Sequence, residues 1–127
     1  MRLVDSSAWI EWVAEGPLEG QIDALLPQRS EWLVPTIVQY ELSKWLLSNE
    51  SVHDRRQRLL AFSTRCFVVS LTSDIAIAAS RVGREHKLAV ADAIIYATAI
   101  AFDADIITCD AHFERLPGVI YLPKRAH

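Results

Sequence analysis

A chain of 127 residues with 51% hydrophobic side chains has the material for one domain built on one core. Its formal net charge of −3 argues against a protein that coats nucleic acid non-specifically, while leaving room for a local basic face around an acidic centre. Its apolar runs are too short and interrupted for a membrane span, and no basic-then-apolar leader opens it, so the expectation is a cytoplasmic protein, not a membrane one, whose fold begins at once.

No repeat, low-complexity tract or linker interrupts the chain, and short apolar strands alternate with longer helical segments. Residues 2–5 read as a first strand, after which Ser6 or Ser7 can cap a helix reaching about residue 15. Gly16-Pro17 stops that helix and opens a second over 18–26; a short strand follows at 32–34. Pro35-Thr36 starts a periodic helix to residue 49, residues 51–65 form another, and 67–70 a third strand. A helix over 72–87 opens on Thr72 and Ser73, and an apolar helix lies within 88–102. Strand 105–108, a turn of helix near 112–115 and a last strand at 119–122 complete an α/β sandwich with a mostly parallel sheet. Cys66 and Cys109 have no metal-binding spacing and read as buried small hydrophobes in a reducing compartment.

The most informative residue is Asp92, the only charged side chain between Leu88 and Phe102. A helix apolar on nearly every face is normally buried, and an unpaired carboxylate there costs several kcal/mol unless it is neutralised, hydrogen-bonded or metal-bound. Its place in the first helical turn suits the helix dipole but supplies no nearby cation. Asp5 and Asp110 each follow a buried strand, and ligand sites in open parallel sheets gather beyond the carboxyl ends of strands. Either acid is equally readable as a helix cap or turn residue. Glu41 shares a helical face with Ile37, Val38 and Trp45, and Lys44 on its flank offers an alternative, purely structural partner.

Four acids brought together would repel and raise one another's pKa. Mg²⁺ or Mn²⁺, which take oxygen ligands from a few carboxylates and keep several waters, turns that repulsion into affinity. The hydroxyls of Ser6, Ser7 and Thr108 stand beside these acids in sequence and suit hydrogen bonds that orient them. No Ser–His–Asp or Cys–His arrangement offers a side-chain nucleophile instead.

These residues resemble a known family. LVDSSAWIEW, with Asp5, looks like the opening of a PIN-domain ribonuclease; VPTIVQYELSKWL places Glu41, VADAIIYATA places Asp92, and IITCDAHFERLPGV places Asp110. The segments occur in the family's order across nearly the whole chain, and the size is similar to that of VapC toxins of toxin–antitoxin pairs. The resemblance implies a PIN-like three-layer sandwich with about five parallel strands, homodimerisation and inhibition by a cognate antitoxin. It also implies a Mg²⁺- or Mn²⁺-dependent endoribonuclease in which a metal-activated water leaves 5′-phosphate and 3′-hydroxyl ends. Asp5, Glu41, Asp92 and Asp110 would form its catalytic and metal-holding set. The fourth segment departs from the family's usual Thr-Arg-Asp or Thr-Arg-Asn with an acid before the Phe. Here Cys109 and His112 stand in those places.

RNA needs further contacts. Residues 53–58 (HDRRQR) supply Arg55, Arg56 and Arg58; Arg84 and Lys87 line another helix, and His112 can reach phosphate or remain a surface residue. Each basic group read singly is equally a solvated helix face. Trp9 and Trp12, three apart on one helix, read as core or interface rather than as base-stacking platforms. Two other functions fit parts of the pattern. One is a PIN-like RNA- or protein-binding module without catalysis. The other is a haloacid-dehalogenase-type phosphatase, which needs a second acid where this chain has Ser7.

Overall fold

The computed structural model of the protein describes residues 1–49 and 53–124, the side chains of residues 53–56 excepted. Five strands form one sheet in the order β3-β2-β1-β4-β5: β1 (Arg2–Val4), β2 (Trp32–Pro35), β3 (Phe67–Val69), β4 (Asp105–Thr108) and β5 (Val119–Tyr121). Every pairing is parallel, and Leu3 stands opposite both Leu33 and Ile106. All three side chains are buried, as expected when helices cover both faces of a parallel sheet and central strands lose their alternation. Edge strand β3 leaves Phe67 and Val68 exposed.

Six helices accompany the sheet among the described residues: α1 (Ser6–Val13), α2 (Glu19–Leu25), α3 (Thr36–Asn49), α4 (His53–Thr64), α5 (Ser73–His86) and α6 (Val90–Ala101). The chain thus has the α/β sandwich and parallel sheet that its strand–helix alternation predicts. Boundaries move by at most two residues, and the N-cap of α1 moves with them. Asp5, not Ser6 or Ser7, is the capping residue, and its main-chain carbonyl accepts from the N–H groups of Ala8 and Trp9 at 3.0 Å. Helix α1 also stops at Val13 rather than near residue 15. Glu15 takes the left-handed conformation (φ 55°) and Gly16 N–H returns to the Glu11 carbonyl at 2.9 Å. A Cβ at Gly16 would run into the Glu11 carboxylate and push it from its place. That carboxylate is buried and accepts from Leu18 N–H at 3.2 Å, tying α1 to the segment that opens α2.

The core joins Trp9, Trp32 and Phe62, with ring centres 4.6 Å apart for the tryptophan pair and 5.3 Å for Trp32–Phe62. Trp9 and Trp32 are therefore packing residues. Both cysteines are buried and free, and burial pushes each thiol up to about 11, which keeps it protonated and inert at neutral pH.

Helix α6 corrects one expectation. It is not buried all round: Val90 is 78% exposed and Ile100 57%. Its small residues Ala93 and Ala97 instead pack on Ile75 and Ala79 of α5. Close approach is allowed by Gly83, where a Cβ would come within 3.1 Å of the Ala93 methyl. Helix α5 is capped by Thr72, whose hydroxyl accepts from Ile75 N–H at 3.2 Å, and ends at Lys87 in a left-handed conformation. No helix of the described residues is long and apolar enough to cross a membrane.

Candidate acidic active site

The carboxyl ends of β1 and β4 lie side by side, with Asp5 N–H donating to the Ile107 carbonyl at 2.9 Å. This pairing delivers Asp5 and Asp110 to one edge of the sheet. Asp5 is only 3% exposed. Its Oδ2 accepts from Ser7 Oγ at 2.8 Å and from Thr108 Oγ1 at 2.9 Å. Each hydroxyl in turn accepts a backbone N–H: Cys109 donates to Ser7 Oγ at 3.0 Å, and Asp110 donates to Thr108 Oγ1 at 2.9 Å. With both hydroxyl protons directed at Asp5, the 3.2 Å approach of the two hydroxyl oxygens is proximity and not a further bond. Burial pushes the Asp5 carboxyl above its ordinary range; the two hydroxyls oppose that rise and the charge of Asp110 adds to it.

Glu41 reaches the same place from α3. Ser6 Oγ donates to its Oε1 at 3.1 Å, and no ion pair links it to Lys44 among the described residues. The structural alternative for Glu41 thus lacks its partner. Burial raises the Glu41 carboxyl, the Ser6 hydroxyl opposes this, and the charges of Asp5, Asp92 and Asp110 raise it further. Two helices and two strand ends therefore place all four predicted acids in one electrostatic cluster.

Asp92 sits in the first turn of α6, its side chain 15% exposed. Burial first, then the charges of Asp110 and Asp5, push its carboxyl up to about 6 from the ordinary 3.8, with His112 pulling the other way. His112 lies on the one-turn 3₁₀-helix Ala111–Phe113 that follows β4, where Asp110 Oδ1 accepts its backbone N–H at 2.9 Å. That turn aims its ring at the acids: Nδ1 is 3.0 Å from Asp110 Oδ1 and 3.4 Å from Asp92 Oδ2. Donor atoms of Asp92, Asp110 and His112 all fall within 4.8 Å of one another, so the tightest trio contains the histidine. Asp5 and Glu41 stand outside that trio, tied to hydroxyls, while acting on it through their charge. Two carboxylates and an imidazole converging within coordination reach, with two further acids behind them, fit a divalent cation.

The hydroxyls expected beside the acids are in place, and Thr108 is the one buried completely. Replacing it with valine keeps the shape but strands Asp110 N–H and removes a donor from Asp5. Urea unfolding should show a loss of about 1–3 kcal/mol. A loss below a few tenths would mean that the hydroxyl does not support the site.

Among the expected RNA contacts whose side chains the structure describes, only His112 touches the acids. Arg58 is exposed on α4, Lys87 ends α5, and Arg84 borders an apolar groove between α5 and α6. The side chains of Arg55 and Arg56 lie outside the described residues. Sequence reading missed a cleft of about 360 Å³ that opens beside Glu41, lined by Ser6, Ile10, Tyr40, Lys44 and Trp45. The apolar stripe of α3 drew attention to Glu41, whereas Tyr40 and Lys44 precede and follow it on flanks that the stripe does not mark.

Comparison with known proteins agrees with the fold. The family model of the PIN domain matches residues 2–119. The toxin–antitoxin complex from Klebsiella pneumoniae is similar with a TM-score of 0.81 at 23% identity, over 94% of this chain and 96% of that one. VapC20 of Mycobacterium tuberculosis, a toxin that cleaves the sarcin–ricin loop, gives 0.75 at 18% identity, over 98% and 100%. DNA-bound VapBC of Salmonella typhimurium gives 0.74 at 17%, over 97% and 98%. At these identities the solved structures show a shared fold. No curated protein matches by sequence.

Proposed function

The chain belongs to the PIN-domain family, and on that premise we propose that it is a Mg²⁺- or Mn²⁺-dependent endoribonuclease acting as the toxin of a toxin–antitoxin pair. The observation that carries this reading is the meeting of Asp5, Glu41, Asp92 and Asp110 beyond the carboxyl ends of a parallel sheet, each shifted or shifting another by its charge. Asp92 and Asp110 would hold the ion most closely, with Asp5 and Glu41 behind them. When bound, the ion supplies Lewis-acid stabilisation of the charge developing on the phosphate and acidifies the attacking water.

The chain's own residues supply the remaining functions. Ser7 and Thr108 fix the Asp5 carboxylate so that it need not reorganise during reaction. Glu41 lies outside the trio and lines the cleft, so it is the carboxylate placed to accept the proton of the attacking water. Ser7 donates to Asp5, and the second acid that the phosphatase alternative needs at this position is missing.

RNA would enter along the cleft. Lys44 would meet phosphate there, and Arg55, Arg56, Arg58, Arg84 and Lys87 remain further candidates from the sequence. Lys44→Ala should weaken RNA binding about equally for all sequences and lower the slope of log K against log salt by about one. An unchanged slope in filter-binding titrations at graded salt would take Lys44 out of the path.

The antitoxin belongs to the same proposal, supported by the toxin–antitoxin complexes among the solved relatives, and the homodimer joins it on the family resemblance alone. An arginine from the inhibitor entering the acid cluster would block it, and full activity in the complex would contradict this. The end groups of the RNA fragments test the reaction itself. Attack by water leaves 5′-phosphate and 3′-hydroxyl ends, whereas 2′,3′-cyclic phosphates would mean that the RNA's own hydroxyl is the nucleophile and would overturn the mechanism.

A further inference from the structure

We infer that His112 is a direct ligand of the ion and tilts this centre from Mg²⁺ toward Mn²⁺. This rests on the reading of the acid cluster as a metal centre and adds to it a nitrogen donor. Three observations carry it. The first is distance, since Nδ1 lies 3.0 Å from Asp110 Oδ1 and 3.4 Å from Asp92 Oδ2. Small displacements would let an ion share all three donors.

The second is how the ring is held. Asp110 Oδ1 accepts the backbone N–H of His112 at 2.9 Å, so the short helix that presents the ring is anchored by one of the carboxylates it faces. The Nδ1 edge is thereby turned inward by backbone geometry. The third is exposure: the His112 side chain is 74% accessible and belongs to neither hydrophobic cluster. Packing therefore does not account for the direction of the ring.

Ligand chemistry gives the selectivity. Mg²⁺ favours an all-oxygen octahedron and keeps its waters, so an imidazole nitrogen serves it poorly; Mn²⁺ also takes carboxylate and water oxygens but, being larger and less strongly hydrated, accepts a nitrogen beside them more readily. Substituting an imidazole for a carboxylate also removes one negative charge that would serve Mg²⁺ well. The imidazole reading predicts a site that Mn²⁺ occupies at concentrations where Mg²⁺ does not.

The test is electron spin-echo modulation on the full-length protein loaded with Mn²⁺, paired with calorimetric titrations of Mn²⁺ and Mg²⁺. Wild type should show nitrogen modulation from a bound imidazole, and His112→Ala should lose it while still binding Mn²⁺. His112→Asp should lose it too, and lower the preference for Mn²⁺ over Mg²⁺ by roughly tenfold. Because the residue is on the surface, both variants should fold, which circular dichroism checks. Bound Mn²⁺ without nitrogen modulation in wild type would overturn the role of His112 and leave the nuclease reading standing. Modulation that survives His112→Ala would overturn it equally. No Mn²⁺ binding to wild type would overturn both.

Discussion

Asp5→Asn should lower metal-dependent RNA cleavage by about a thousandfold and leave the fold intact. The asparagine oxygen can still accept the Ser7 and Thr108 hydroxyls that Asp5 Oδ2 accepts, so the link between α1 and β4 persists. What disappears is the negative charge that attracts the ion and sets its field. Asp5→Ala is the less informative change, since it would strand both hydroxyls as well, at about 1–3 kcal/mol for a buried group left unpaired. Initial rates on labelled RNA, with circular dichroism beside them, decide the matter. A variant keeping more than about a tenth of the wild-type rate would remove Asp5 from the catalytic machinery.

Asp92→Asn should show opposite effects on activity and stability. Cleavage falls by a comparable factor, because a carboxylate closest to the ion is lost. Stability of the metal-free protein rises at pH 8, because a half-desolvated charge facing Asp110 and Asp5 is removed. The sign follows from the shift. The Asp92 carboxyl sits at about 6 in the folded protein against 3.8 ordinarily, so folding favours its protonated form. That contribution is fully present below about pH 4 and is lost as pH rises through 6. At about 1.4 kcal/mol per pKa unit, less an allowance for solvent screening, the loss is on the order of 1–2 kcal/mol. Urea unfolding of chelator-treated protein at pH 5 and pH 8 spans about half of this window and should show wild type losing up to about 1 kcal/mol more than Asp92→Asn. Adding Mn²⁺ should restore wild type alone, since an ion that binds only the folded state stabilises it. Equal pH dependence in both proteins would contradict the account of Asp92.

Much of this site was legible in the sequence, for reasons that can be stated residue by residue. Asp92 showed itself as the one charge in an apolar run, and Asp5 and Asp110 by following buried strands. Strand ends have one direction in a parallel sheet, so two such acids must emerge on the same edge. Glu41 was visible because helical periodicity places it beside Ile37 and Val38. What spacing cannot reveal is which oxygen faces which donor. Ser7 and Thr108 meet although 101 positions separate them, and their grip on Asp5 depends on strand register rather than on any local pattern. The same limit concealed the cap of α1. Serine caps through its side chain, but here Asp5 caps through its main chain while both neighbouring serines are engaged elsewhere. The apolar run of α6 overstated its burial, because composition does not show that Val90 and Ile100 stand exposed near its two ends while Ala93, Ala97 and Ala99 pack. His112 was read as reaching phosphate or lying at the surface, and it is at once exposed and turned toward two acids. Glu11 gave no signal, since nothing in its helix shows that the following loop folds back to use its carboxylate.

The most direct measurement is cleavage of a labelled total RNA pool by purified, antitoxin-free protein, with Mg²⁺, Mn²⁺ or chelator, beside Asp5→Asn and Asp92→Asn. The account predicts discrete cuts that need the ion and vanish in both variants. Cuts that persist in both variants, or that are indifferent to chelator, would contradict it.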